Sequence, residues 1–408
     1  MRIALAGVGR MGAAISGRLR AAGHRVTLYD PALPAGGEVA PTLAAAANRS
    51  VLTFLCLPDA AAVEASLPGL MEAAPPIVVD LTSSLPSTTR RVGAALAPLG
   101  VDLLDCPLSG GVAGARAGTL TAMVGGDPDL LERVRPVLST FATNVRWAGP
   151  LGSGHATKAL NNALSAVALT ATAEMLVMAA AHGASEAAVI DAFNRGPARS
   201  QNSEVKFPRD ILPRTYAAGF TAGLMEKDLA TALEMAAARA VETPLLAGTL
   251  SAWREATAAM GPGADFTRVH AVIAGRSGGR APGAGEPAAL AVGVLERALA
   301  AVNLMAAREA LRIADAEGLD RHRVLAIVNT STGRSEATRA GASGTVDAEA
   351  LGEAARLAGA ARAWAPVTTL GADLTRGRRG GPSRIPSGLD AGLDAGLDGG
   401  LVGSGNTD

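Results

Sequence analysis

The sequence predicts a doubly wound α/β domain with a mostly parallel sheet, followed by all-α domains. Three observations carry that prediction. Over residues 1–150, short β-rich runs alternate with Ala- and Leu-rich helical stretches, which is how a parallel sheet covered on both faces is written. A Gly-x-Gly-x-x-Gly turn, Gly7-Val8-Gly9-Arg10-Met11-Gly12, joins the first β-rich run to the first helical stretch. From about residue 152 the apolar period becomes helical and stays so.

Taken in order, RIALAG (2–7), RVTLYD (25–30), VLTFLCL (51–57), IVVD (77–80) and VDLLD (101–105) read as buried strands bounded by Gly, Pro or Asp. TLTAMVGG (119–126) and NVRWAG (144–149) are expected to add strands at the far edge, with helices at 10–22 and 86–98 among the connections. Beyond them helical stretches are expected at 152–182, 185–194, 221–240 and 245–260. GRSGGRAPGAGEP (275–287) reads as a Gly/Pro/Arg linker, and GLDAGLDAGLDGG near the C-terminus as low-complexity chain that buries no core. The expected division is 1–150 for the α/β domain, 151–275 for an all-α domain, 276–288 for a linker, 289–370 for a second helical unit and 371–408 for a disordered tail.

That second unit comes from a repeat. Residues 164–202 align with 299–337 at a constant offset of 135, with 14 identities over 39 positions, of which only four are alanine. The identities include Glu174, Asn194, Arg199 and Ser200, so shared Ala-rich composition does not explain them. A duplicated helical domain is the expectation.

Composition narrows the function classes. Hydrophobic residues make up 49% of the chain but aromatics only 3%, so the core is built from Ala, Leu and Val in closely packed helices. Formal net charge is zero and no basic face is clustered, so no nucleic-acid partner is expected. The two cysteines, Cys56 and Cys106, make no disulfide framework and are expected to be reduced and buried. No run of 18 apolar residues free of charges and turn formers is apparent, and the N-terminal apolar run is too short for a signal peptide. No membrane association and a cytoplasmic location are therefore expected. The histidines at 24, 155, 182, 270 and 322 show no metal-ligand spacing, and no metal is expected; His155 reads as a helix-surface residue.

The glycine turn points to a dinucleotide in a Rossmann-type domain. Gly7 allows the tight turn, Gly9 lets backbone approach a pyrophosphate, and Gly12 lets helix and strand pack closely, with the helix N-terminus facing the anion. Val8, Arg10 and Met11 complete the loop. Asp30 ends the next strand 18 residues after Gly12, where a carboxylate accepts from the ribose hydroxyls and repels a 2′-phosphate. Pro31 follows where an NADP site often carries Arg, so NAD is expected in preference to NADP.

Four further stretches, in order, resemble the β-hydroxyacid dehydrogenase family, which includes 3-hydroxyisobutyrate dehydrogenases and belongs with 6-phosphogluconate dehydrogenase. They are VVDLTSSLPSTTRRV (78–92), LLDCPLSGGVAGARAGTLTAMVGGDPD (103–129), GPLGSGHATKALNN (149–162) and AGLMEKDLATALEMAAARAVETPL (222–245). The resemblance covers residues 1–275 and implies NAD-dependent oxidation of a small 3-hydroxy acid, or the reverse reduction. It implies that Ser109, Gly110 and Gly111 hold the substrate carboxylate, that Lys158 is the catalytic lysine and that Asn162 orients substrate. It further implies that Leu57, Pro58 and Ser83 line the cofactor site, and that Lys227 lies near the nicotinamide end. Thr82-Ser83 replaces the family's usual Ser-Thr, which keeps hydroxyls in place.

The lysine also has an argument of its own. Only three of 37 basic residues are lysines: Lys158, Lys206 and Lys227. Oxidising an alcohol removes a hydroxyl proton, and arginine, protonated at every relevant pH, cannot accept it. A partly desolvated lysine can. Lys206, outside any motif, reads as ordinary, although 206–208 could border the substrate cleft. The second copy drops this chemistry: at offset 135 Lys158 becomes Gly293, Asn161 becomes Glu296 and Asn162 becomes Arg297, while Lys227 becomes Glu349 at offset 122. The resemblance implies that helical domains of two subunits pack together and close each other's clefts, so residues 289–370 are expected to pack against 152–260 in cis, in place of part of a possible homodimer partner. Two other readings stand beside the dehydrogenase: an imine reductase, which usually lacks this lysine, and a non-catalytic NAD-binding sensor or scaffold.

Overall fold

The computed structural model describes residues 1–277 and 288–377. Among them one sheet contains β1 (Arg2–Ala6), β2 (Arg25–Tyr29), β3 (Leu52–Leu55), β4 (Ile77–Asp80), β5 (Asp102–Asp105), β6 (Leu108–Ser109), β7 (Thr121–Gly125) and β8 (Asn144–Gly149). Their order is β2-β1-β3-β4-β5-β7-β6, with β8 paired to β7. The first five strands run parallel, and β7 runs antiparallel to β5 and β6 but parallel to β8. The doubly wound, mostly parallel sheet is thus present, with 121–125 and 144–149 beyond β5 as expected. The two-residue β6 is too short to show a period. Every residue of β3 and β4 is buried, as a strand covered by helices on both faces requires.

Helices begin where the sequence supplies caps. Thr42, Asp59, Asp127, Ser185 and Thr221 accept from backbone N–H groups of the first turn, and Pro86, Pro128 and Pro244 open helices where no N–H is needed. From β1 the chain reaches β2 on one side and β3 on the other, so the strand order reverses at the carboxyl end of β1. In such sheets that reversal opens the ligand crevice.

The helix Ser153–Ala181 is the axis of the second unit, and every residue from Ser153 to Leu176 is buried. By length and apolarity it could cross a bilayer, contrary to the sequence reading, but 89% of its most apolar window is covered by the protein itself. Its N-terminus is tied to the sheet: Asp105, at the end of β5, accepts from Gly152 N (2.7 Å) and His155 N (2.7 Å). An added Cβ at Gly154 would fall 2.3 Å from Met123 O, so only glycine lets helix and sheet approach this closely.

The helix Ala288–Ala316 packs along Ser153–Ala181 within the same chain and leads to helices Arg321–Val328, Glu336–Arg339, Ala348–Ala361 and Pro366–Gly377. The last of these runs through 371–377, which the sequence reading gave to the tail. Residues 278–287 of the expected linker and 378–408 of the expected tail lie outside the described residues.

The two helical copies meet through contacts that are images of one another. Gln201 N donates to Arg334 O (2.9 Å), and Glu336 N donates to Arg199 O (3.0 Å). At offset 135 each bond maps onto the other, and the equivalent residues Ser200 and Ser335 form an antiparallel bridge between them. Buried Glu174 accepts from Val367 N (2.9 Å) and Thr368 N (2.8 Å), capping the helix Pro366–Gly377. Its equivalent Glu309 accepts from Leu245 N (3.0 Å) and Leu246 N (2.9 Å), capping Pro244–Met260. This is an isologous interface of the kind a twofold dimer uses, formed inside one chain. Each carboxylate satisfies two otherwise orphaned N–H groups in the interior. Glu174→Ala and Glu309→Ala should therefore each lower the unfolding free energy by about 1–3 kcal/mol in urea titrations, since a buried donor pair loses its acceptor. Unchanged midpoints in both variants would remove these caps from the account of stability.

Candidate active site

Carboxyl ends of successive strands bring the predicted cofactor residues together. Gly7 follows β1 with φ +91°, and its N–H donates to Tyr29 O (2.8 Å). A Cβ on Gly7 would lie 2.2 Å from Cys56 O, and one on Gly12 would lie 1.9 Å from Gly7 O, so both positions exclude side chains. Gly9 differs: a Cβ there would meet nothing within 4 Å. Gly9 caps the helix Arg10–Ala21 without a side-chain hydrogen bond, which leaves the helix's first N–H groups facing open space. Val8 and Met11 are half-buried beside this opening, while Arg10 is exposed. The loop has room and donors for a pyrophosphate.

Asp30, just after β2, accepts from Val8 N through Oδ2 (2.7 Å) and from Ala32 N through Oδ1 (2.9 Å). Its carboxylate therefore also shapes the glycine loop, and each oxygen keeps a further lone pair for a ribose hydroxyl. After β3, half-buried Leu57 donates its N–H to Thr82 Oγ1 (3.1 Å), and Pro58 is exposed at the rim. After β4, the Ser83 carbonyl accepts from Lys227 Nζ (2.6 Å), and Lys227 also pairs with Asp228 (3.3 Å). Lys227 thus clamps the helix Ala222–Ala238 to the loop after β4.

Ser109 ends β6, and its hydroxyl makes no hydrogen bond within the described residues. Gly110 (φ +122°) and Gly111 (φ +66°) turn the chain through conformations that other residues rarely adopt. A Cβ on Gly111 would approach Ala218 O at 4.0 Å, which places this turn against the loop that follows the helix carrying Lys206.

Lys158 sits one turn into the buried helix, with Asn162 on the same face. It is 6% exposed, and its Nζ has no hydrogen bond or ion pair among the described residues. Burial pulls its pKa down to about 8; the Asp228 carboxylate opposes that shift and the Lys227 ammonium adds to it. Asn162 Nδ2 donates to Asp228 Oδ2 (2.5 Å) and its Oδ1 accepts from Asn161 Nδ2 (3.0 Å), so the amide cannot turn freely.

Two residues depart from their sequence readings. Lys206 is not ordinary. It lies 6% exposed on a ten-residue π-helix, Asn202–Ile211, with Nζ bonded to Gln201 Oε1 (2.8 Å) and Asn202 Oδ1 (2.8 Å) and 5.4 Å from the centre of the Phe266 ring. Asn202 in turn donates to Ser165 O (2.9 Å), on the helix of Lys158. Burial pulls Lys206 down to about 7, reinforced by the positive charges of Arg209 and Lys158. Lys227 thus acts on the charge of Lys158, and Lys158 on that of Lys206. The same rarity that singles out Lys158 applied to Lys206, but no familiar motif surrounded it.

His155 is no surface residue either: it is 1% exposed, bonded to Thr89 Oγ1 (2.7 Å) and Thr82 O (2.7 Å), and it lies 3.9 Å from both Asp80 and Asp105. The helix that carries it has no solvent face. A pocket of about 460 Å³, lined in part by Glu226, Lys227 and Arg254, adjoins Lys227 but includes neither Lys158 nor Ser109.

Known proteins place this geometry. Residues 2–149 match the NAD binding domain of 6-phosphogluconate dehydrogenase, and residues 152–273 match the NAD-binding domain of NADP-dependent 3-hydroxyisobutyrate dehydrogenase. The chain is 33% identical to 3-hydroxyisobutyrate dehydrogenase of Pseudomonas aeruginosa, over 67% of this chain and 99% of that one. It is 34% identical to the NAD-dependent L-serine dehydrogenase of the same organism, over 62% and 91% of the two chains. Mycobacterium tuberculosis 3-hydroxyisobutyrate dehydrogenase, solved with L-serine, superposes with a TM-score of 0.63 at 32% identity, covering 66% of this chain and 98% of that one. Plasmodium falciparum 6-phosphogluconate dehydrogenase shares the fold over 95% of this chain and 94% of its own, at 15% identity and a TM-score of 0.67. A dinucleotide cradle facing a buried lysine, in this company, defines an NAD(P)-dependent oxidoreductase acting on CH–OH groups. Within that class the chain belongs to the β-hydroxyacid dehydrogenase family.

A lysine whose folded-state pKa is lowered from 10.5 to about 8 penalises the folded state wherever it is charged. The penalty is full below pH 8 and fades as pH rises toward 10.5, because the unfolded chain then loses the same proton. Lys158→Met should accordingly raise the melting temperature by a few degrees at pH 7, on the order of 1–3 kcal/mol, and by progressively less between pH 8 and 10.5. A lower melting temperature at pH 7 would contradict this account of the site's strain.

Proposed function

We propose that this chain oxidises a small, unphosphorylated 3-hydroxy acid to its semialdehyde or keto acid, or runs the reverse reduction, with NAD and with Lys158 as the general base or acid. The observation that carries this reading is the buried Lys158 amine, which has no hydrogen-bonding partner among the described residues and a pKa of about 8. An amine so placed exchanges a proton near neutral pH. The Ser109 hydroxyl and the turn at Gly110-Gly111 receive the substrate carboxylate, and Asn162, braced on both sides of its amide, orients the reacting hydroxyl. NAD, when bound, supplies the hydride acceptor. The protein's own part is to hold substrate, keep the site dry around Lys158 and take the hydroxyl proton on Nζ.

Asp30 and Pro31 favour NAD, since a 2′-phosphate would meet a carboxylate and find no guanidinium at the next position. The unphosphorylated class fits a site in which Arg209, the guanidinium acting on Lys206, is already engaged by both oxygens of Asp210. Two free cysteines, both with thiols pushed well above their ordinary pKa by burial, fit a reducing cytoplasmic setting.

The test is a panel of 3-hydroxyisobutyrate, glycerate, 4-hydroxybutyrate, threonate and 6-phosphogluconate with either cofactor. Turnover of an unphosphorylated hydroxy acid with NAD is expected, and its absence across the panel would end this reading. In the oxidative direction kcat/KM should rise with pH and level off above about 8, because only neutral Lys158 accepts the proton. Lys158→Arg should lose roughly 10²–10⁴-fold in kcat while keeping NADH affinity in fluorescence titrations. For the cofactor, Asp30→Ser combined with Pro31→Arg should shift the ratio of kcat/KM for NAD over NADP toward NADP; an unmoved ratio would clear Asp30 of any role in that choice.

A further inference from the structure

The degenerate copy reaches the active site through one loop. Residues 329–335 (Asn-Thr-Ser-Thr-Gly-Arg-Ser) lie against the first copy, fixed by the paired bonds around the Ser200–Ser335 bridge and by the ion pair of Arg334 with Glu204. Asn144, on β8 of the α/β domain, donates to Thr330 Oγ1 (2.9 Å). At the loop's centre, Thr332 Oγ1 accepts from Asn161 Nδ2 (2.8 Å) and Gly333 N donates to Asn161 Oδ1 (2.9 Å). The other Nδ2 hydrogen of Asn161 goes to Asn162 Oδ1 (3.0 Å), and Asn162 Nδ2 goes to Asp228 (2.5 Å). Asn161 is fully buried, and its side-chain amide has both donors and an acceptor lone pair committed.

Gly333 permits this approach. A Cβ there would fall 2.5 Å from the Asn161 backbone O and 3.0 Å from its Oδ1. On the other side of the pseudo-twofold, Glu296, the equivalent of Asn161, has no such network among the described residues and lies against Gly196, where an added Cβ would meet Glu296 Oε1 at 1.8 Å. There the contact sets a carboxylate in the field of Arg195 and Arg297. On the first-copy side it ends on Asn162 and Asp228, next to Lys158.

We propose that Thr332 and Gly333 are positioning residues of the active site, fixing the Asn162 amide for substrate through Asn161, so that the second copy completes the site in cis. The proposal rests on the reading of Asn162 as the substrate-orienting residue. It goes beyond that reading in giving the duplicated unit a catalytic consequence, carried by a hydroxyl and a glycine N–H over a hydrogen-bond relay.

Three variants of the full chain test it. Thr332→Val removes the acceptor at nearly constant shape, Thr332→Ser restores it, and Asn161→Ala removes the relay. Thr332→Val should lower kcat/KM for the hydroxy acid about 5- to 20-fold, the scale of one buried hydrogen bond, with the KM for NAD unchanged. Thr332→Ser should stay within about threefold of wild type, and in the Asn161→Ala background Thr332→Val should cost nothing more, because both act through one relay. Wild-type kcat/KM in Thr332→Val, equal losses in Val and Ser, or additive losses in the double variant would each overturn the proposal. Should Thr332→Val fail to fold, Gly333→Ala takes its place: it pushes on Asn161 directly and should lose at least as much, and an intact kcat/KM would count against the relay. Amide hydrogen exchange of the 329–336 peptide reads the lock without any substrate. Exchange should accelerate in Asn161→Ala, and unchanged protection would overturn the proposal even if the wild type turned over none of the hydroxy acids tried, an outcome that by itself would count only against the proposed function.

Discussion

Everything in this molecule follows from surrounding one helix. Ser153–Ala181 is covered by the sheet at one end and by helices of both copies along its length, so no stretch of it is left to water before Val177. A polar side chain on such a helix either finds partners or costs several kcal/mol. His155 finds two threonine oxygens, Asn161 and Asn162 find each other and more, and Glu174 finds the N-terminus of a helix from the second copy. Lys158 finds none that the described residues show. A charged group kept in the interior without a partner costs the fold stability.

Covering the helix also explains the duplication. A homodimer must use the same residues on both sides of a twofold interface, so every residue shaped for the site is imposed on the packing surface as well. In a single chain the two sides are free to diverge. The positions that remained identical include those that bond across the pseudo-axis: Glu174 with Glu309, Arg199 with Arg334, Ser200 with Ser335. Those that differ include Lys158 with Gly293 and Asn162 with Arg297, the residues to which the proposed function gives the chemistry. Divergence also let Ala198 become Gly333, the substitution that admits the loop to Asn161.

Much of this was legible in the sequence, for reasons that differ by element. β3 and β4 announce themselves because a strand buried on both faces must be largely apolar, and the glycine loop because Gly7 and Gly12 each answer a separate steric demand. The repeat was legible through Glu174, Arg199 and Ser200, residues that helix packing alone does not require. What stayed hidden was partnership across long sequence separations. His155 reads as a surface residue because the helix period marks one apolar face, and nothing local reveals that Thr82 and Thr89, 73 and 66 residues earlier, cover its ring. The π-helix around Lys206 shows no distinct period, and the Asn161–Thr332 bond spans 171 residues.

The lysines show how far a compositional oddity can be pushed. In a chain that writes nearly every cation as arginine, choosing lysine suits a position that wants a compact cation able to lose its proton. A familiar pattern surrounds Lys158 and Lys227, and none surrounds Lys206. Physically the distinction was empty. Burial lowers the proton affinity of Lys158 and Lys206 alike; the Lys158 ammonium lowers Lys206 further, and that of Lys227 lowers Lys158. A neighbouring ammonium makes a buried amine easier to deprotonate, whereas neighbouring guanidiniums would stay charged and only repel. Lysine in this sequence is thus rare in number but clustered through Lys158, which feels Lys227 and acts on Lys206.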